Sequence, residues 1–134
     1  MGMTRHIGEA HRDAGRFDQP IQHLTEAQRL ATALPDPYNE ARCLTGLGET
    51  YLKAGEPTRA LGPLGEAAEL MASLGGEYEQ ARISALLADA LLILDQPEGA
   101  REHLTSALVI YAKSGAPEAH DVRRKLDGLP AEPG

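Results

Sequence analysis

The sequence predicts an all-α fold, an α-α superhelix of three helical hairpins followed by a C-terminal capping helix. The first observation is that apolar residues recur at helical spacing on both sides of a short turn in residues 40–75. Leu44, Leu47 and Tyr51 precede the turn, and Leu64 follows it. The second observation is that this pattern returns after 40 residues. Because one hairpin cannot bury its own apolar face, the repetition predicts a stacked array.

The repetition fixes the boundaries of the units. Leu64 corresponds to Leu24 forty residues earlier and to Leu104 forty residues later, and the turn at Pro57 corresponds to a turn at Pro97. The predicted domain covers 1–129, with repeats at about 1–37, 38–77 and 78–117, a capping helix at 118–128 and a flexible tail at 129–134.

The first unit is predicted to hold helices from about Thr4 to Ala14 and from about Gln19 to Leu34. The prolines around Asp36 end the second helix, because the residue before a proline disfavours the helical region. The repeat pattern is already present at Thr4, without a preceding polar cap. We therefore expect the chain to be a segment of a longer array.

The second and third units are predicted to hold four helices. The first three run from about Tyr38 to Ala54, Pro57 to Leu74 and Glu77 to Leu94, and the fourth follows the turn Asp95-Gln96-Pro97 and runs to about Lys113. Pro63 lies inside the second of them and predicts a kink, because it removes a backbone hydrogen bond. Gly75 and Gly76 predict a helix C-cap, and Asp95 or Gln96 is expected to cap the last helix. Cys43, beside Leu44, is expected to be a buried thiol.

The capping helix is predicted from Glu118 to Asp127. Ala119, Val122 and Leu126 share one face and the opposite face is charged. A single apolar stripe with a polar back is what the end of a stacked array requires.

Two motifs carry a resemblance to a known family. Leu44-x-x-Leu47-Gly48-x-x-Tyr51 in one helix and Ala60-x-x-x-Leu64-x-x-Ala67 in the next resemble the tetratricopeptide repeat (TPR). The longer period is similar to that of bacterial signalling proteins, including the sensor regions of antibiotic-regulatory transcription activators. The resemblance implies a protein–protein interaction module that forms part of a larger signalling or transcription-regulatory protein.

Composition and charge narrow the classes of function. The net charge of −7 argues against direct binding of nucleic acid, and the longest apolar run is too short to cross a membrane. The single cysteine precludes an internal disulfide and favours the cytoplasm. The chain has no phosphate-binding loop, no nucleophile elbow and no metal-ligand spacing of histidines, so we expect no enzymatic activity, cofactor or metal.

The resemblance also implies which residues face a partner, since the first helix of each TPR hairpin lines the concave groove. With Leu47 and Tyr51 taken as buried, the helical period assigns the groove-facing positions. The predicted groove residues are Arg5, Glu9, Arg12, Arg42, Thr45, Glu49, Leu52, Arg82, Asp89, Leu92 and Lys125.

Glu9, Glu49 and Asp89 form an acidic row at this face, which leaves two interpretations open. The row favours a peptide or helix with positive charge, or its carboxylates are neutralised by neighbouring arginines of the same chain. Two further functions stay open for the chain. It could self-assemble through an exposed first helix around Ile7, or it could sense a peptide or small ligand in the groove.

Overall fold

The structure is a computed structural model that describes residues 20–27, 29 and 36–130. Residues 20–27 are helical, and five complete helices follow. These are α1 (Pro37–Lys53), α2 (Pro57–Leu74), α3 (Glu77–Ile93), α4 (Pro97–Ser114) and α5 (Glu118–Asp127). Helices α1 and α2 form one hairpin, α3 and α4 form the next, and α5 packs on α4. The all-α repeat architecture predicted from the sequence is confirmed. The predicted helix Thr4–Ala14 lies outside the described residues.

Local sequence signals set the helix boundaries. Prolines occupy the first turn of α1, α2 and α4, where the missing N–H is not needed. The Asp36 side chain caps α1 by accepting a hydrogen bond from the backbone N–H of Asn39, at 3.2 Å. Gly75 ends α2 with φ of 77°, a left-handed conformation that disfavours side chains. The short turns that result fold each helix back on the one before it.

Several local predictions differ from the structure. Gln96 precedes α4, but its side chain makes no capping hydrogen bond. Asp95 instead takes a positive φ of 59° in the turn, a conformation that aspartate tolerates better than most residues. Cys43 is only half-buried. Pro63 lies within α2, as predicted, and the helix continues through it; the kink itself stays a prediction.

The start of the predicted C-terminal tail makes contacts with the fold. Leu129 packs against the core at the C-terminal end of the array, and the backbone carbonyl of Pro130 accepts a hydrogen bond from Arg101. The flexible tail stays a prediction, and these two residues at its start contact the fold. The rest of the predicted tail, 131–134, lies outside the described residues.

The core is divided into two clusters, and α3 contributes to both. The first is centred on Leu64 and Met71 of α2, and the second on Leu104 and Tyr111 of α4. Leu64 and Leu104 are 40 residues apart, and both are completely buried. The 40-residue period of the sequence is therefore also the spacing between the central core leucines. The second helix of each hairpin supplies one of them.

A glycine lets α1 and α2 approach closely. A Cβ atom placed on Gly48 would lie 2.4 Å from Cγ of Leu64, well inside van der Waals contact. Gly46 lies two residues earlier on α1, and a Cβ there would lie 3.0 Å from Leu24 of the preceding helical segment. Alanine at 88 replaces glycine at the position equivalent to Gly48, and it is fully buried. Small residues at these positions thus set the spacing between helices.

Helix α5 closes the array on the third unit. Ala119 and Val122 are buried against α4, and the Tyr78 hydroxyl donates a hydrogen bond to the Glu118 carboxylate. This hydrogen bond lowers the pKa of Glu118 and raises the pKa of Tyr78. The rings of Tyr78 and Tyr111 meet edge to face, with centroids 5.6 Å apart. Tyrosines of α3 and α4 thus form part of the surface on which the capping helix packs.

Tyr111 should make the fold sensitive to alkaline pH. Burial raises the pKa of its phenol from 10.0 to about 12. A raised pKa in the folded state gives stability that is complete below pH 10 and is lost as pH rises towards 12. We expect the free energy of unfolding to fall by about 1.4 kcal/mol per pH unit in this window. Urea unfolding of the wild type and of Tyr111→Phe tests this, because the variant keeps the ring and should show a shallower fall.

None of the helices in the described ranges is both long enough and apolar enough to span a lipid bilayer.

Candidate functional site

The candidate site is the face on which α1 and α3 lie side by side. These are the first helices of their hairpins, and both present residues to two adjacent open cavities. The second helices α2 and α4 supply the completely buried Leu64 and Leu104, and α4 contributes to neither cavity. We call this face the α1/α3 groove. The repeat architecture thus brings equivalent positions of successive units together along one surface.

The larger cavity lies towards the C-terminal ends of the two helices and has a volume of about 490 Å³. Four of its seven lining side chains are aliphatic, and Ile93 among them is 61% exposed. The lining residues are Glu49, Leu52, Lys53, Leu86, Asp89, Leu92 and Ile93. An aliphatic wall edged by charges is a typical binding surface for an apolar side chain of a partner.

The smaller cavity lies towards the start of the same helices and has a volume of about 240 Å³. It is more polar, and its lining residues are Arg42, Thr45, Gly46, Met71, Glu79, Arg82 and Ile83. The Thr45 hydroxyl donates a hydrogen bond to the Ala41 carbonyl of its own helix at 2.9 Å, and the side chain is only 5% exposed. Thr45 therefore shapes the cavity wall and offers little hydrogen-bonding capacity to a partner.

Ion pairs across the groove join each unit to the next. Arg82 Nη2 of α3 lies 2.8 Å from Glu49 Oε1 of α1, and Lys125 Nζ of α5 lies 3.0 Å from Asp89 Oδ1 of α3. All four side chains are between 33% and 46% exposed, so each pair is worth at most about 1 kcal/mol. The two described carboxylates of the acidic row are thus neutralised within the protein, which removes the main support for a positively charged partner.

Of these four side chains, Lys125 forms ion pairs with two carboxylates rather than one. Its ammonium also lies 3.2 Å from Asp121 Oδ2 on the preceding turn of α5. Partial burial lowers the pKa of Lys125, but the two carboxylates more than offset this and the net shift is upward. Lys125 remains protonated at neutral pH and fastens the capping helix to the edge of the groove.

Most of the predicted groove residues that the structure describes line one of the two cavities. Arg42, Thr45 and Arg82 line the smaller one, and the larger one is lined by Glu49, Leu52, Asp89 and Leu92. Lys125 reaches the larger cavity through its ion pair with Asp89. Arg42 lies 6.0 Å from the ring centroid of Tyr38 on its own helix. Arg5, Glu9 and Arg12 lie outside the described residues.

Three residues of the larger cavity were not predicted from the sequence: Lys53, Leu86 and Ile93. Lys53 and Ile93 are 40 residues apart and end their helices directly after Leu52 and Leu92. The 40-residue repeat therefore places these two residues at equivalent positions. A predicted groove that extended one residue beyond Leu52 and Leu92 would have included both.

The comparison with known families supports the architecture. The family model described as tetratricopeptide repeat matches residues 1–73, which is more than half of the chain, so the chain belongs to the tetratricopeptide repeat family. No curated protein sequence matches the chain.

Membership in this family gives the general class of function. Tetratricopeptide repeats are typically non-catalytic modules that bind other proteins. The described residues contain no group of three His, Cys, Asp or Glu side chains arranged to hold a metal ion.

Proposed function

We propose that the α1/α3 groove binds a peptide segment or a helix of a partner protein. The observation that carries this proposal is the aliphatic wall of the larger cavity, which ends in Ile93 with more than half of its side chain exposed. When an apolar side chain of a partner fills this cavity of about 490 Å³ and covers Ile93, apolar surface is removed from water, which favours binding. Because helices α1 and α3 run side by side, the groove between them accommodates an elongated segment.

We further propose that the module acts as an adaptor within a larger signalling or transcription-regulatory protein. Support comes from the 40-residue period, which is similar to that of long-repeat bacterial regulators. The function stays a proposal by analogy, because one fold can serve many functions. The cytoplasmic location likewise stays a prediction, based on the single cysteine.

Two alternatives from the sequence keep their own tests. Self-assembly was predicted from Ile7, which lies outside the described residues, and light scattering of the chain at high concentration decides it. A strictly monomeric chain would exclude that function. Ligand sensing uses the same groove as the adaptor function, so it differs only in the size of the molecule that binds.

Affinity capture with a matched pair of variants tests the groove proposal. Ile93 and Val109 are 61% and 62% exposed, but Ile93 lines the larger cavity and Val109 lies on α4, which lines neither. We expect Ile93→Asp to lose the captured partner and Val109→Asp to keep it, because a carboxylate in the aliphatic wall would be desolvated by the partner. The loss should be at least tenfold in affinity, on the order of 1.4 kcal/mol or more.

The two variants carry the same change in charge and replace side chains of equal exposure. Circular dichroism should first show that both are as helical as the wild type. Equal capture by both variants would contradict the groove proposal, and selective loss with Val109→Asp would place the binding surface on α4.

A further inference from the structure

The charged side chains that line the larger cavity differ in whether they already form an ion pair within the protein. Three ionised side chains line it: Glu49, Lys53 and Asp89. Glu49 is 2.8 Å from Arg82, and Asp89 is 3.0 Å from Lys125. A cationic ligand would have to compete with cations that are already tethered beside these carboxylates. Neither carboxylate therefore offers a full negative charge to a partner.

Lys53 differs from both carboxylates. It is exposed, and no carboxylate in the described part of the chain forms an ion pair with it. It is the last residue of α1, and the equivalent last residue of α3 is the uncharged Ile93. Among the described residues, Lys53 is therefore the charged side chain of this lining that has no ion-pair partner, and it lies on the α1 side only.

We infer that the partner segment carries a carboxylate beside its apolar anchor residue, and that Lys53 recognises this carboxylate. The inference rests on the proposed groove function and names the chemistry of its partner. The aliphatic wall covers the anchor, while Lys53 pairs with an Asp or Glu side chain a short distance along the segment. Because the charge lies only on the α1 side, it also fixes the direction in which the segment lies across the two helices.

The overall charge of the chain opposes such a partner at long range. A net charge of −7 repels an acidic segment, so recognition by Lys53 depends on contact rather than on electrostatic steering. At about 0.1 M salt, charges beyond roughly 10 Å are screened, whereas a direct ion pair keeps part of its strength. The preference for acidic peptides should therefore be clearest at moderate salt.

Lys53 also has a structural role that the test must separate from recognition. A lysine in the last turn of a helix interacts favourably with the helix dipole, so its replacement affects stability as well. Arg123→Glu is the control for total charge, because it makes the same change at an exposed position of α5 outside both cavities. Leu92→Asp is the control that removes the aliphatic wall.

The test selects a random peptide library, displayed on phage, against the full chain and the three variants. We expect the wild type and Arg123→Glu to enrich peptides with Asp or Glu beside an apolar residue. Lys53→Glu should enrich peptides with Lys or Arg there instead, and Leu92→Asp should enrich none. A synthesised acidic peptide from the wild-type selection should bind Lys53→Glu about three- to tenfold more weakly at equal helicity.

Each outcome separates the inference from the function on which it rests. Enrichment of apolar peptides without a charge preference, or with the same preference in Lys53→Glu, would overturn the role of Lys53 and leave groove binding intact. Enrichment that persists in Leu92→Asp, or no enrichment by the wild type, would overturn both.

Discussion

Leu64→Ala should lower the free energy of unfolding by about 2–5 kcal/mol. Leu64 is completely buried at the centre of the first core cluster and packs against Gly48 of α1. Removing three carbon atoms leaves a cavity that the helices cannot fill, since their turns are short and capped. Chemical denaturation, followed by circular dichroism, measures the change.

Leu74→Ala is the matched control for this prediction. Leu74 ends the same helix, α2, but is 44% exposed. The same three carbon atoms are lost there without a cavity, and we expect a change of roughly 0.5 kcal/mol or less. Equal losses for the two leucines would show that Leu64 is not the centre of a packed core and would contradict the assigned repeat register.

Gly48→Ala should also destabilise the fold, although alanine favours a helix. The new Cβ would lie 2.4 Å from Cγ of Leu64, so the Leu64 side chain or one of the two helices has to shift. Overpacking of this kind costs about 1–3 kcal/mol, which exceeds the roughly 1 kcal/mol that alanine gains over glycine within a helix. Gly65→Ala in α2 is the control, because a Cβ there meets nothing within 4 Å. We expect that variant to be more stable than the wild type.

A double-mutant cycle attributes the cost of Gly48→Ala to its contact with Leu64. In a Leu64→Ala background the clash is gone, and Gly48→Ala should become stabilising like Gly65→Ala. If Gly48→Ala costs the same in both backgrounds, its effect does not come from the approach of α1 to α2.

The helices were predictable because their determinants are local. Pro57 and Pro97 mark helix starts, Gly75 marks a helix end, and the buried leucines 64 and 104 repeat at the helix-hairpin period. Each signal lies within a few residues of the feature it determines. Gln96 takes the predicted N-cap position of α4, but its side chain makes no capping hydrogen bond.

The charge pattern of the groove was less predictable because it depends on contacts between units. The 40-residue period identified Glu49 and Asp89 as equivalent, but their partners are not equivalent. Arg82 pairs with Glu49, whereas the corresponding position of α5 is the buried Val122 and Lys125 reaches Asp89 from the next turn. Which cation reaches which carboxylate depends on how the capping helix docks, and no local pattern encodes this.

The position of a bound partner tests the central claim, that the α1/α3 groove is the binding surface, most directly. A photoreactive amino acid, p-benzoylphenylalanine, can replace either Ile93 in the groove or Val109 on α4, two side chains of almost equal exposure. Both proteins are irradiated in the same cell extract, and their adducts are identified by mass spectrometry. We predict a defined adduct from position 93 that excess unlabelled chain suppresses, and none from position 109. A suppressible adduct from position 109 alone would contradict the assignment of the groove.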